Sequence, residues 1–403
     1  ERGDERLTRL AKKITLLAIL FYPLDGFKFS FMSSLSLYRL MLILAVVTGT
    51  ISFLITKKIR MPRKIAGPFI VLASVSALFS SLISTEPAYA NSAMLNELSG
   101  VVMLFLIVSL FDYNEMDVLL KQFVRSAYIG IPFAIYSWLV LFRNPANAQY
   151  LNSFGGIFTI DITNEFITSC YHMRLVLPYS SSSVYSGVLA TTIAILLCDN
   201  SMFKNRQRNV LIIVFSLLLI MTQSRTGMLA LGIVIFIYIL RMKDTKRKTR
   251  IILLAIVAAS LVLIVLGSNA EFMRKLLSRF ESNSSSNPGL LEDRHLLVPL
   301  EGLRIWLSDA KNFLFGIGYG SSINMEGKWT ELPYFFFNSY ITQIVAKGIM
   351  GLCIVIMWLL TKIRLGWLFV NRETYSCENK INIAFTVLLI SCLTYEYYPY
   401  YTF

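Results

Sequence analysis

The stretch LLLIMTQSRTGMLALGIVIF (217–236) sets a polar insert, Thr222-Gln223-Ser224-Arg225-Thr226-Gly227, between two apolar runs. An arginine inside a hydrocarbon layer costs several kcal/mol unless it is paired, hydrated or able to snorkel, so Arg225 needs a reason. A turn this short leaves backbone N–H groups free, and a helix opening at Gly227 would turn its positive end toward an anion. Thr222, Ser224 and Thr226 add hydroxyl donors. These residue types in this order read as an anion site. Three more arginines, Arg174, Arg294 and Arg304, fall in or beside polar segments. Each either joins such a site or snorkels to lipid phosphate. The chain has two histidines, His172 and His295, each close to one of these arginines. Trp306, Tyr319, Trp329 and Tyr334 lie near the same polar stretch, as an interfacial belt or as platforms that stack on sugar rings. The glycine run GIGYG (316–320) lacks GxGxxG spacing and a preceding strand, so it reads as a tight chain reversal and not a nucleotide loop.

The elements that must hold these residues are membrane helices. Of 403 residues, 55% are hydrophobic and only 15% charged, where soluble domains carry about a quarter. The apolar runs are continuous, which excludes the alternating strands of an outer-membrane barrel. An all-α polytopic membrane protein of about 11 transmembrane helices is expected. The runs lie near 14–27, 36–56, 66–84, 97–112, 124–142, 183–198, 209–222, 226–241, 251–267, 338–361 and 381–398. The net charge of +14 gathers in joints: KKIRMPRK (57–64), KNRQR (204–208), RMKDTKRKTR (241–250) and KIR (362–364). All fall on one side of this map, which is therefore cytoplasmic, and no nucleic-acid partner is implied. The charged start, ERGDERLTRLAKK, reads as a cytoplasmic lead-in without a cleavable signal. Cys170, Cys198, Cys353, Cys377 and Cys392 show no metal-ligand spacing and read as packing residues, so no metal and no cofactor is expected.

The chain therefore reads as one integral membrane domain over 1–403, with a long outer loop at 268–337. In that loop SNSSSNPG (282–289) is a turn segment, and 292–320 has helical apolar spacing up to Asn312 before the GIGYG exit. The expected product is an amphipathic helix lying across the mouth of the bundle.

The turn SRTG (224–227), the arginine-initiated segment ending in GIGYG (294–320) and FNSYITQIVAKGIMGL (337–352) occur in this order. In these pieces, over roughly 180–360, the chain resembles the O-antigen ligase/O-antigen polymerase superfamily of bacterial envelope glycosyltransferases. The resemblance implies a glycosyltransferase C-like fold in the bacterial inner membrane, acting at the periplasmic face on glycans carried by undecaprenyl pyrophosphate. It implies that Arg225 and Arg294 engage the donor pyrophosphate, with Arg174, Ser224, Arg304, Tyr319 and Tyr334 as further substrate-binding candidates. Guanidinium forks suit that role, because they pair bidentately with phosphate oxygens and neutralise a developing leaving-group charge without a metal. Membrane lipids, a chain-length regulator and a flippase are the implied partners. One position departs from the ligase pattern. There the segment begins with a histidine, the proposed general base, followed ten residues later by glycine; here Asn338 precedes Gly348. An amide cannot take up a proton usefully near neutral pH. The departure favours a polymerase over a ligase and leaves the base to His295, His172, Glu292, Asp293 or Glu331. A lipid-linked sugar transporter is the alternative from another class.

Overall fold

The computed structural model describes residues 2–56, 65–153, 156–160, 164–179, 181–199, 201–241, 298–321, 338–365 and 377–393, with isolated positions between 245 and 274. Helices dominate them. The first four are α1 (Arg2–Phe21), α2 (Leu37–Thr56), α3 (Ala66–Ile83) and α4 (Pro87–Leu110). They are followed by α5 (Met116–Ser126), α6 (Gly130–Tyr136), α7 (Asn164–Tyr171), α8 (Ser182–Leu197), α9 (Asn205–Met221) and α10 (Arg225–Arg241). The last five are α11 (Val298–Trp306), α12 (Ala310–Phe315), α13 (Ser339–Lys347), α14 (Ile349–Leu365) and α15 (Cys377–Cys392). Among the described residues, four helical stretches are long and apolar enough to cross a membrane: α2, α3, α4 and the run Tyr113–Leu141 that contains α5 and α6. Ser182–Leu197 and Asn379–Cys392 are apolar but shorter. This is a helical, multi-pass membrane architecture.

Several boundaries differ from the hydropathy reading, each for a local reason. The first helix starts at Arg2 and takes in the charged lead-in, because Ala11, Thr15 and Ala18 form a buried stripe at helical spacing. Pro23 then ends it in a 3-10 turn. Helix α4 starts at Pro87, where proline suits the first helical position, so the joint expected at 85–95 is mostly helix. The run 338–361 is two helices and not one. Gly348 divides it with φ +62, a left-handed conformation, and a Cβ there would sit 2.5 Å from the Leu314 carbonyl oxygen. The amphipathic helix expected through Asn312 is likewise broken, since the Asp309 side chain accepts from Asn312 N at 2.7 Å and starts α12. The segments 282–289 and most of 251–267 lie outside the described residues. A small antiparallel sheet accompanies the helices of this all-α architecture. Strand β1 (Phe27–Phe29) sits between β2 (Met32–Ser36) and β3 (Phe158–Ile160), in the register Lys28↔Ser36 and Phe27↔Ile160.

The core lies around α8, whose residues are buried on nearly every side against α9, α10 and α15. A helix apolar all round belongs inside, which is where the fold puts it. Direction follows from the connections. Helices α9 and α10 are joined by three residues and α8 and α9 by a short loop, so α8 and α10 run in parallel. Lys380, in the first turn of α15, meets Asp199 just beyond the end of α8 at 3.6 Å, so α15 runs the opposite way. The starts of α8 and α10 and the end of α15 therefore share one end of the bundle.

Candidate functional site

At that shared end α9 stops at Met221 and Gln223 takes a left-handed φ of +51, so the chain reverses within Thr222–Ser224. Arg225, and not Gly227, opens α10. Gly227 serves the packing instead. A Cβ on it would lie 2.5 Å from Ser186 Oγ and 2.9 Å from the Ser186 carbonyl carbon, so its bareness lets α10 press against α8. The hydroxyls of the turn face inward. Thr222 Oγ1 donates to Leu219 O at 2.6 Å and accepts from Ser224 N at 3.3 Å, and the Ser224 and Ser186 hydroxyls meet at 2.9 Å. Both turn residues are buried, so Ser224 and Thr222 hold helices together where their sequence positions suggested ligand donors. Arg225 is half-buried and has no ion-pair partner among the described residues.

The turn is tied to the segment after α7. Gln223 Nε2 donates to the carbonyls of His172 at 3.1 Å and Met173 at 3.4 Å, and Leu175 N donates to Met221 O at 2.9 Å. These bonds bring Arg174, half-buried, and the exposed His172 to the end that carries Arg225. Nothing in hydropathy links two segments fifty residues apart.

Asn338 reaches the same end through α15. Its Oδ1 accepts from Tyr340 N at 3.0 Å and Ile341 N at 3.2 Å, which caps α13. Its Nδ2 donates to Leu393 O at 3.0 Å, just past the end of α15. Tyr340 Oη donates to Leu389 O at 2.8 Å and strengthens the junction. Both polar atoms of the Asn338 amide are thus engaged in holding two helices together.

The remaining candidates divide. Arg304 has a side chain 82% exposed and lies 3.8 Å from Glu301 on its own helix. Tyr319 is enclosed: its hydroxyl donates to the Glu97 carboxylate, so the ring does not present a face for sugar stacking. Arg294, His295, Tyr334, Trp329, Glu292, Asp293 and Glu331 lie outside the described residues. Two residues escaped the sequence reading altogether. Lys347 and Glu97 form a buried ion pair with Tyr319 against it. The signal was available, because Lys347 sits alone in an apolar run and needs an opposite charge from another helix.

The opposite end of the bundle is electrostatically closed. Buried Lys380 donates to Asp117 Oδ1 at 2.9 Å and to Ser201 Oγ at 3.4 Å. Asp199 accepts from three backbone N–H groups, of Ser201 at 3.0 Å, Met202 at 2.9 Å and Phe203 at 3.1 Å. The half-buried guanidinium of Arg225 itself has no such counter-charge among the described residues.

Fold and site together describe a multi-pass membrane protein with a cationic helix start at one end. More particularly, residues 210–356 match a protein-family model described as O-Antigen ligase. The match spans just over a third of the chain, runs from α9 into α14, and contains Arg225, Asn338 and Lys347 but neither Arg174 nor Glu97. No curated protein matches the chain. The match supports the O-antigen ligase/polymerase superfamily and a glycosyltransferase-type activity related to lipopolysaccharide, without distinguishing polymerase from ligase.

Proposed function

We propose that the protein is a surface-polysaccharide polymerase of the bacterial inner membrane. It takes a growing glycan from undecaprenyl pyrophosphate and joins it to the non-reducing end of a new lipid-linked repeat unit. An acceptor hydroxyl attacks the anomeric carbon and gives its proton to a base among His295, His172, Glu292, Asp293 and Glu331. The bond to pyrophosphate breaks, and undecaprenyl pyrophosphate leaves with the negative charge. Arg225 pairs with that leaving group, assisted by Arg174 and Arg294. The observation that carries this reading is the half-buried Arg225 at the start of α10, with no described counter-charge and Arg174 brought to the same end. An anion there gains the helix dipole and a planar two-donor fork together. The Arg225 end faces the periplasm, as the positive-inside rule requires of the basic joints at the other end.

A ligase is the second reading, favoured by the description of the matching family. Against it stands Asn338, an amide spent on capping α13 at the position where the resemblance puts a histidine base in ligases. The surface-polysaccharide profile of a deletion strain decides. A single repeat on lipid A–core supports the polymerase, bare core supports the ligase, and exposed lipid-linked repeats with no chain grown in any background support a transporter. Orientation is tested separately by labelling a cysteine placed at position 285 from outside the cell. The labelling is done in a variant with Cys353, which is exposed, and Cys377 replaced by serine; Cys170, Cys198 and Cys392 are buried, and burial pushes the Cys170 thiol up to about 12. Labelling only in permeabilised cells would reverse the map.

A further inference from the structure

Three polar side chains meet in the interior, far along the chain from one another. Glu97 stands ten residues into α4, and Lys347 is the last residue of α13. The Lys347 ammonium donates to one Glu97 carboxylate oxygen and the Tyr319 hydroxyl to the other. The ammonium also lies 5.6 Å from the centre of the Tyr319 ring. All three residues are at most 2% exposed. Ala90 and Ala93, on the same face of α4 as Glu97, leave room for Tyr319 and Ala346 to approach.

Around this triad a strap is threaded. Ile317 N donates to Val345 O at 3.0 Å and Gly318 N to Ala346 O at 3.1 Å. Ser80 Oγ donates to Ala346 O at 3.0 Å, and Thr85 N to Ser321 Oγ at 3.1 Å. Gly316 and Gly318 have φ of +77 and +85, and a Cβ on either would fall within 2.6 Å of the backbone of Ala346 or Ser84. The chain therefore passes between the α3–α4 joint and α13 in one register.

Stability does not explain the ion pair, since replacing a buried pair with apolar residues of similar volume is often neutral or favourable. What a fully paired buried charge does supply is a single arrangement, because a slipped register leaves a charge unpaired in hydrocarbon. We propose that Glu97, Lys347 and Tyr319 are positioning residues that clamp the end of α13 and the strap 316–321 to α4. The clamp thereby fixes α13 as a strut whose other end, Asn338, braces α15 beside the Arg225 turn. It also fixes where the α11–α12 segment enters. The activity part of this inference rests on the glycan-transfer reading; the clamp itself does not.

The test uses the full-length protein carrying Ser84→Cys and Ser321→Cys, whose hydroxyls lie 3.5 Å apart, as a cross-linking reporter of the seated strap. The double variant Glu97→Leu/Lys347→Met is expected to insert in normal amount, to lose the cross-link, and to lose turnover. A displacement of about 1 Å at the reacting groups costs on the order of 10²-fold, with KM for the lipid-linked donor nearly unchanged. The charge swap Glu97→Lys/Lys347→Glu should recover cross-link and turnover together. Wild-type cross-linking and turnover in the apolar double variant would overturn the clamp. Lost cross-linking with full turnover would overturn the positioning role. If the cross-link follows the charges while the parent protein transfers no glycan, the clamp stands and the reading of function fails.

Discussion

Helices α10 and α13 both meet the same end of the bundle, and they begin in opposite ways. The start of α13 is saturated: Asn338 accepts two backbone N–H groups and donates to α15. The start of α10 has an arginine with no ion-pair partner among the described residues, while the hydroxyls behind it are locked into packing. Two residues that look equally functional in the sequence thus separate into a brace and a cation open to a ligand. Hydrogen-bond capacity already in use argues for structure, and unmet charge argues for a ligand.

The contrast can be broken from its strongest side first. Arg225→Glu should leave the protein inserted and abolish polymer, and Arg225→Ala should lose on the order of 10²–10³ in rate, as when a leaving-group donor is removed. Arg225→Lys should lose most of the activity although the charge remains, because an ammonium lacks the planar fork. Glycan transfer in membranes measures all three. Near-normal polymer from Arg225→Ala would make the turn a mere joint. Next in size, Gly227→Val should cost about 1–3 kcal/mol by forcing α10 away from Ser186, read as a lower melting temperature in detergent. An unshifted melting curve would show that the α8–α10 approach is not tight.

Smaller effects test the brace. Asn338→Ala removes the cap and should cost about 0.5–2 kcal/mol of stability, with rate reduced but not abolished. Asn338→Asp keeps the accepting oxygen and so the cap, but loses the donor to Leu393 O, and should fall between Asn338→Ala and the parent protein. A large rate loss from Asn338→Ala at unchanged stability would move Asn338 back among the reacting groups. Asn338→His should not create transfer to lipid A–core, stained for in a strain lacking its own ligase. Smallest of all, Arg304→Ala should change stability by no more than about 1 kcal/mol, since its pair with Glu301 is exposed.

What hydropathy carries well is visible at α2 and α3. The runs 36–56 and 66–84 became Leu37–Thr56 and Ala66–Ile83, because a continuous apolar stretch has no other place to go. What it cannot carry is a break imposed by a distant segment. Gly348 bends because Leu314 and Gly316 press on it, and nothing in IVAKGIMGL signals that neighbour. The three-residue strands β1 and β3 are too short to show alternation. At the candidate site, Arg225 stands out in the sequence by its cost in an apolar setting, whereas the placing of the Arg174 segment at the same end depends on Gln223 and two carbonyls. The cap at Asn338 was legible in principle, as asparagine before an apolar run is a helix-start signal. Competition with a catalytic reading concealed it.

The pairing of Glu97 with Lys347 also sets a timetable for making the protein. The two residues are 250 positions apart, and at about 5–20 residues per second the ribosome needs roughly 12–50 s to pass from one to the other. Through that interval α4 has been synthesised and its carboxylate has no lysine to meet. Helix α4 enters the bilayer on the strength of the apolar residues around it, and Glu97 waits for a partner made 250 positions later. Lys347→Met alone, which leaves the Glu97 charge without its partner for good, should therefore be cleared by membrane proteases faster than the double variant Glu97→Leu/Lys347→Met.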